Sequence, residues 1–176
     1  MKILGIDPGL ATVGYGVIEI LGPRKMACIS YGSIRTQSHQ AFPLRLRILF
    51  DDLKEILERY NPEEVAVERL FFSQNVTTGI QVAHARGVLL LRLEMEGLPL
   101  YEYTPLQIKS RVVGYGHAQK HQIQSMVQRV LSLEKPPKPD DAADGLAVAI
   151  CHYYARMAEL HNGGSPQTIQ TRSSRV

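Results

Sequence analysis

Cysteine is scarce in this chain of 176 residues. Cys28 and Cys151 lie far apart and lack metal-ligand spacing, which argues against a disulfide framework and fits a reduced compartment. Long apolar runs are missing too. The longest aliphatic stretch, Val88–Leu91, is far too short to cross a bilayer. No basic segment followed by an apolar stretch opens the chain, so no signal peptide is evident and the expected location is cytoplasmic. There is no internal repeat. Acid is absent from residues 105–133, which carry Lys109, Arg111, Lys120 and Arg129, although the whole chain nets only +3. Acid returns in the following stretch, with Asp140, Asp141 and Asp144. A basic stretch beside an acidic cluster suits a polyanionic ligand, but a solvated surface gives the same pattern from charge alone. With 44% hydrophobic and 21% charged residues, the composition is that of an ordinary globular domain long enough to bury a core.

The opening alternates apolar runs with turns. Ile3–Asp7, Gly14–Ile20 and Met26–Ile34 read as strands, with Gly22-Pro23 turning between the last two. The period then becomes helical. Leu46, Leu49, Phe50, Leu53, Ile56, Leu57 and Tyr60 share a helix that Asn61-Pro62 stops. Val65–Val67 reads as a buried strand ending at Glu68, Val76–Glu96 as a long helix, and Leu100–Tyr103 as a short strand. Helices are expected over Thr104–Val113, Gln119–Leu133 and Asp141–Met157. This order predicts an α/β fold: an antiparallel meander, then parallel strands joined by helical crossovers, in a mixed central sheet flanked by helices. One domain over 1–158 is expected, followed by a disordered polar tail over 159–176. In the long helix, Gly79, Ala83 and Gly87 form a smooth stripe, and Val82, Ala85, Leu89 and Leu93 an apolar line. A helix apolar on two sides is expected to be buried on both, against the sheet and against a neighbouring helix or a second subunit.

Asp7 ends the first strand, although the run before it is apolar, and Glu68 ends the strand Val65–Val67. Asp141 and Asp144 begin the last helix, one turn apart and therefore on one face. Singly, each has a plain structural explanation in turn chemistry, helix capping or a solvated strand end. If the strands ending in Asp7 and Glu68 are neighbours, the set gathers outside the strand ends, where active groups of such sheets collect. Clustered carboxylates repel, and a divalent cation resolves the repulsion. Hard oxygen donors without a His/Cys cluster favour Mg2+ or Mn2+. Two such ions stabilise the attacking and leaving oxygens of phosphodiester hydrolysis.

Four stretches, "GIDPGLATVGYGVIE", "VAVERLFFSQNVTTGIQVAHARGV", "QIKSRVVGYGHAQKHQIQSMV" and "DDAADGLAVAICH", resemble in order the RuvC family of bacterial Holliday junction endonucleases, over about residues 1–155. The resemblance implies an RNase H-like fold, a homodimer and paired symmetric nicks in a four-way DNA junction during recombination and repair. It also implies hydrolysis with two Mg2+ per site, for which Mn2+ can substitute, leaving 5′-phosphate and 3′-hydroxyl ends. Asp7, Glu68, Asp141 and Asp144 match the family's catalytic, metal-binding carboxylates. Asp140 duplicates the acid beside Asp141, and Gly145 stands where the family's motif has alanine. Lys109 and Lys120 fall on basic positions near the scissile DNA, with Arg69 and Arg111 as further candidate DNA contacts. Phe71 falls on the aromatic that wedges into the junction, and Phe72 beside it could exchange roles with it. A RuvA–RuvB branch-migration complex is the expected protein partner.

Three rivals are weaker. An actin-like or sugar-kinase ATPase opens with a similar strand and turn, but needs a second domain and further glycine-rich loops. A catalytically dead junction-binding module should lack one of the carboxylates. A different RNase H-like nuclease would differ in the nucleic acid it cuts.

Overall fold

The computed structural model describes residues 1–70 and 76–161. Phe71 and Phe72 lie outside the described residues, as does the tail beyond His161. The elements run β1 (Lys2–Asp7), β2 (Thr12–Gly22), β3 (Lys25–Arg35), α1 (Phe42–Tyr60), β4 (Glu64–Glu68), α2 (Val76–Met95), β5 (Leu100–Tyr103), α3 (Pro105–Val113), α4 (Lys120–Val130) and α5 (Asp140–His161). The sheet order is β3-β2-β1-β4-β5. The first three strands form the antiparallel meander, and β1–β4 and β4–β5 are parallel. This is the mixed sheet that the alternation of turns and helical periods predicts.

Strand side chains alternate between faces, and that alternation sorts the core into two clusters. Leu4, Ile6, Val65 and Val67 join Leu49, Leu53 and Leu57 of α1 and Ala85, Leu89 and Leu93 of α2. Ile3, Ala66, Tyr101 and Tyr103 join Ile108 of α3, Ile123 and Val127 of α4, and the buried run Leu146–Cys151 of α5. Asp7 has the parity of Ile3, and Glu68 that of Ala66. Both carboxylates therefore project on the face that carries α5.

Element ends follow local chemistry. Asn61, left-handed at φ 47°, closes α1 by donating its N–H to the Leu57 carbonyl at 2.9 Å. Thr104 and Gln107 cap α3 reciprocally, and Gly114 at φ 98° ends it. Helix α4 stops at Val130 rather than Leu133. Ser132 turns left-handed at φ 52°, the Leu133 N–H returns to the Gln128 carbonyl, and the Gln128 side chain bonds the Leu133 carbonyl. Helix α5 runs to His161, past the expected Met157, because Ala158, Glu159 and Leu160 are good helix formers. Among the described residues, only one side of α2 is covered. Ile80, Leu91 and Met95 stand out in solvent, and a methyl group on Gly87 would meet nothing within 4 Å.

Candidate active site

The site forms where three elements end. Gly14 of β2 pairs with Asp7 of β1, and Ile6 pairs with Val67 next to Glu68, so Asp7 and Glu68 finish neighbouring parallel strands. Helix α5 brings Asp141 and Asp144 onto this end by lying unusually close to the sheet. A Cβ on Gly5 would stand 2.2 Å from the Gly145 carbonyl oxygen, and one on Gly16 would stand 2.6 Å from the Leu146 Cα. Backbone therefore rests on backbone, and glycine is the residue that permits it.

One carboxylate oxygen from each of Asp7, Asp141 and Asp144 lies within 4.8 Å of the others. Asp141, not Asp140, completes this group; Asp140 is largely exposed and sits 3.8 Å from the Lys120 ammonium. Glu68 stands outside the triad but shares a hydrogen bond with Asp7. A cavity of about 340 Å³ opens over the cluster, lined among others by Asp7, Glu68, Lys109, Lys120 and Asp144.

The electrostatics reflect crowding in a half-dry place. Burial pushes the Asp7 carboxyl up to about 8, helped by the charges of Glu68 and Asp144, the hydrogen bond with Glu68 and the charge of Asp141. Glu68 is raised by burial and by Asp144, against the hydrogen bond from Asp7 and the charge of Lys109. Asp144 is also raised, chiefly by burial, although Lys120 donates to it at 3.0 Å. Burial lowers Lys120, but the bond to Asp144 and the surrounding carboxylates outweigh this and raise it. A shared proton and one lysine thus hold together charges that a divalent cation would neutralise. Oxygen-only donors at this spacing fit a hard cation.

The remaining candidates divide. Lys109 and Lys120 line the cavity. Arg69 follows Glu68 and is half-exposed, tethered at 3.3 Å to Glu102, which also pairs with Arg86. Arg111 does not line the cavity; its guanidinium lies over the Tyr103 ring at 5.3 Å. Sequence reasoning missed Glu102 as the anchor of Arg69, and Arg86 as the second cation that Glu102 holds. His152 is fully buried and joins Tyr103 at 2.7 Å and Glu64 at 2.8 Å, with Arg156 on the far oxygen of Glu64. The parity of Glu64 with Ala66 and Glu68 was the available signal, since it puts Glu64 on the α5 face.

A mixed sheet in the order 3-2-1-4-5, with carboxylates at the ends of β1 and β4 and on a helix crossing both, defines an RNase H-like fold of the nuclease class. The family described as crossover junction endodeoxyribonuclease RuvC matches residues 3–152. The chain belongs to this family. It is 51% identical over 152 residues to the crossover junction endodeoxyribonuclease RuvC of Brevibacillus brevis, covering 86% of this chain and 91% of the relative. With the Heliobacterium modesticaldum protein of the same name it shares 54% over 151 residues, covering 86% and 93%. The structure of T. thermophilus RuvC in complex with Holliday junction substrate superposes with a TM-score of 0.84 at 35% identity, covering 90% of this chain and 96% of that one.

Proposed function

We propose that this protein resolves Holliday junctions as an Mg2+-dependent endodeoxyribonuclease, nicking two strands symmetrically and leaving 5′-phosphate and 3′-hydroxyl ends. The observation that carries the reading is the convergence of Asp7, Asp141 and Asp144, with Glu68 bonded to Asp7, under an open cavity flanked by Lys109 and Lys120. Asp7, Asp141 and Asp144 would hold the cation, with Glu68 completing the set. Bound there, it would supply Lewis-acid stabilisation to the scissile phosphate. Mn2+ can replace Mg2+ at such oxygen donors.

The chain's own groups do the rest. Lys109 and Lys120 neutralise phosphate oxygens and the charge that builds on them in the transition state. Arg69, fixed by Glu102, presents its guanidinium to the backbone beside Glu68. Arg111 acts at one remove, by packing α3 on Tyr103. Phe71, or Phe72 in its place, would stack on a distorted base at the junction centre, a contact worth about 1–3 kcal/mol.

The homodimer reading is supported by the face of α2 that the described residues leave open, where Ile80, Leu91 and Met95 flank the Gly79/Ala83/Gly87 stripe. Two-fold symmetry matches the symmetry of a four-way junction. No helix among the described residues is long and apolar enough to cross a membrane. A cytoplasmic site of action alongside a RuvA–RuvB complex belongs to the same proposal.

The test is Asp7→Asn. Cleavage of a synthetic junction with Mg2+ should fall at least ~1,000-fold, as for loss of a catalytic group, while junction binding persists. Substantial cutting by this variant would overturn the reading. The unsubstituted chain should cut junctions in preference to duplex and RNA–DNA hybrid; a preference for hybrid would assign it to another RNase H-like activity.

A further inference from the structure

Lys109 and Lys120 stand on the α3/α4 side of the carboxylates, and a polyanion crossing the site also needs a hold on the other side. Strand β3 is an edge strand, and its last residues reach the same end of the sheet as Asp7. One register row crosses three strands, pairing Ser33 with Gly14 and Gly14 with Asp7. Cross-strand partners project on the same face, so Ser33 shares the face of Asp7. Two strand spacings, together roughly 10 Å, separate them. Arg35 lies two residues further toward the sheet end on that face, opposite Thr12. Between the two flanks, Gly14 offers no side chain and the Asp141 carbonyl rests on it.

Arg35 is exposed, and its Nε donates to the Ser33 hydroxyl at 3.2 Å. That bond folds the side chain back along the α5 face and leaves the terminal nitrogens without a partner among the described residues. Arg35 makes no ion pair among the described residues, although Asp140 and Asp141 begin the helix packed along β3. An arginine steered by its Nε and lacking a carboxylate partner is built to take a phosphate through its remaining donors.

We infer that Arg35, oriented by Ser33, binds a backbone phosphate of the nucleic acid on the side of the carboxylates opposite Lys109 and Lys120. The bound strand then runs across the sheet end from α3/α4 over Asp7 to the tip of β3. This rests on the nuclease reading. It adds a positioning contact whose loss weakens substrate binding rather than the chemical step.

The experiment measures binding of a synthetic four-way junction and of a plain duplex by the full chain, in the Asp7→Asn background that keeps DNA intact. Salt is varied from 50 to 200 mM, as suits a phosphate contact. Arg35→Ala should weaken binding of both DNAs by roughly tenfold and lower the slope of log affinity against log salt by about one. Arg35→Lys should restore most of the slope. With Asp7 intact, Arg35→Ala should raise KM and leave kcat within about threefold, because uniform binding is what is lost. Arg47→Ala, on α1 across the sheet and paired with Asp51, removes the same charge and should change affinity less than twofold. Unchanged affinity and slope in Arg35→Ala overturn the inference, as does an equal loss in Arg47→Ala, which would mean net charge alone. If the unsubstituted chain binds no DNA, the nuclease reading fails and this inference with it; if it cuts junctions while Arg35→Ala is indistinguishable from it, only the inference fails.

Discussion

The Asp141 carbonyl oxygen lies 1.9 Å from where a Cβ on Gly14 would stand. No rotamer can relieve that contact, because both partners are backbone. Helix α5 can seat its acidic turn on β2 only while residue 14 is glycine. Gly14→Ala should lift the turn and carry Asp141 and Asp144 away from Asp7. A displacement of ~1 Å at a reacting site costs about 100-fold in rate, so Mg2+-dependent cleavage should fall by that order. Overpacking should add about 1–3 kcal/mol of destabilisation in urea unfolding. Gly22→Ala, where a Cβ meets nothing within 4 Å, is the matched control and should leave both measurements unchanged.

Asp7 gives the cation-free protein a proton-linked stability of definite sign. Its carboxyl is raised from 3.8 to about 8, so between those values the folded state holds a proton that the unfolded state has lost. Stability contributed by this group is therefore full below about 4, declines as pH rises toward 8, and is gone above that. Without divalent cations, unfolding free energy measured against pH should fall more steeply for the unsubstituted protein than for Asp7→Asn over this window. Mg2+ should reverse the decline at pH 8, because binding needs the carboxylate form. Calorimetric titration at pH 7 in buffers of different ionisation enthalpy should detect proton release on Mg2+ binding. Parallel pH profiles for the two proteins would contradict the shared-proton description.

How much of this was legible in the sequence depends on the kind of signal. Asp7 and Glu68 were visible because an acid closing a continuous apolar run stands out, and that pattern is local. The end of β5 was likewise local, set by the Thr104 cap that opens α3. The end of α4 was not: Gln128 reaches forward to carbonyls beyond the last turn, a contact that no helical periodicity reports. The close seating of α5 was hidden because Gly5, Gly14 and Gly16 look like strand breakers until a helix backbone is known to lie on them. The environment of Arg111 was hidden in the same way. Its position in a basic stretch suggested a nucleic acid contact, and no sequence pattern reports that its guanidinium lies over the Tyr103 ring.

Lys120 is poised between two duties. It donates to Asp144 at 3.0 Å and stands 3.8 Å from Asp140, while lining the cavity that would receive phosphate. Lys120→Gln keeps a donor and removes the charge. Asp144, already raised by burial, should rise further, so cation binding should weaken at neutral pH and recover as pH rises. Loss of one phosphate-neutralising charge should lower cleavage by roughly 10–100-fold, as for loss of an electrostatic contact to the transition state. Cleavage across a matrix of Mg2+ concentration and pH separates the two effects. An Mg2+ dependence identical to that of the unsubstituted protein at every pH would leave Lys120 with the phosphate role alone.

Glu64 begins the strand that Glu68 ends, about 13 Å away at 3.3 Å per residue, and its role is structural. His152 and Arg156 hold it: burial alone would raise its carboxyl, but their bonds and charges outweigh this and keep it below its ordinary value. Its sign is opposite to that of Asp7. The stabilisation is present above the unfolded value of 4.5 and is lost as pH falls through the lower folded one. His152→Phe fills the space but strands the Tyr103 hydroxyl and one oxygen of Glu64, two buried groups whose loss of partners costs about 1–3 kcal/mol each. Urea unfolding at pH 7 should show a loss of about 2–4 kcal/mol, and Glu64→Gln a smaller one that shrinks below pH 4.5. Cleavage per folded molecule at 25 °C should stay within about threefold in both variants, because neither alters the carboxylates at the other end of β4. A collapse of cleavage with stability intact would instead tie the buried His152 to the chemistry through Tyr103, the cross-strand partner of Glu68.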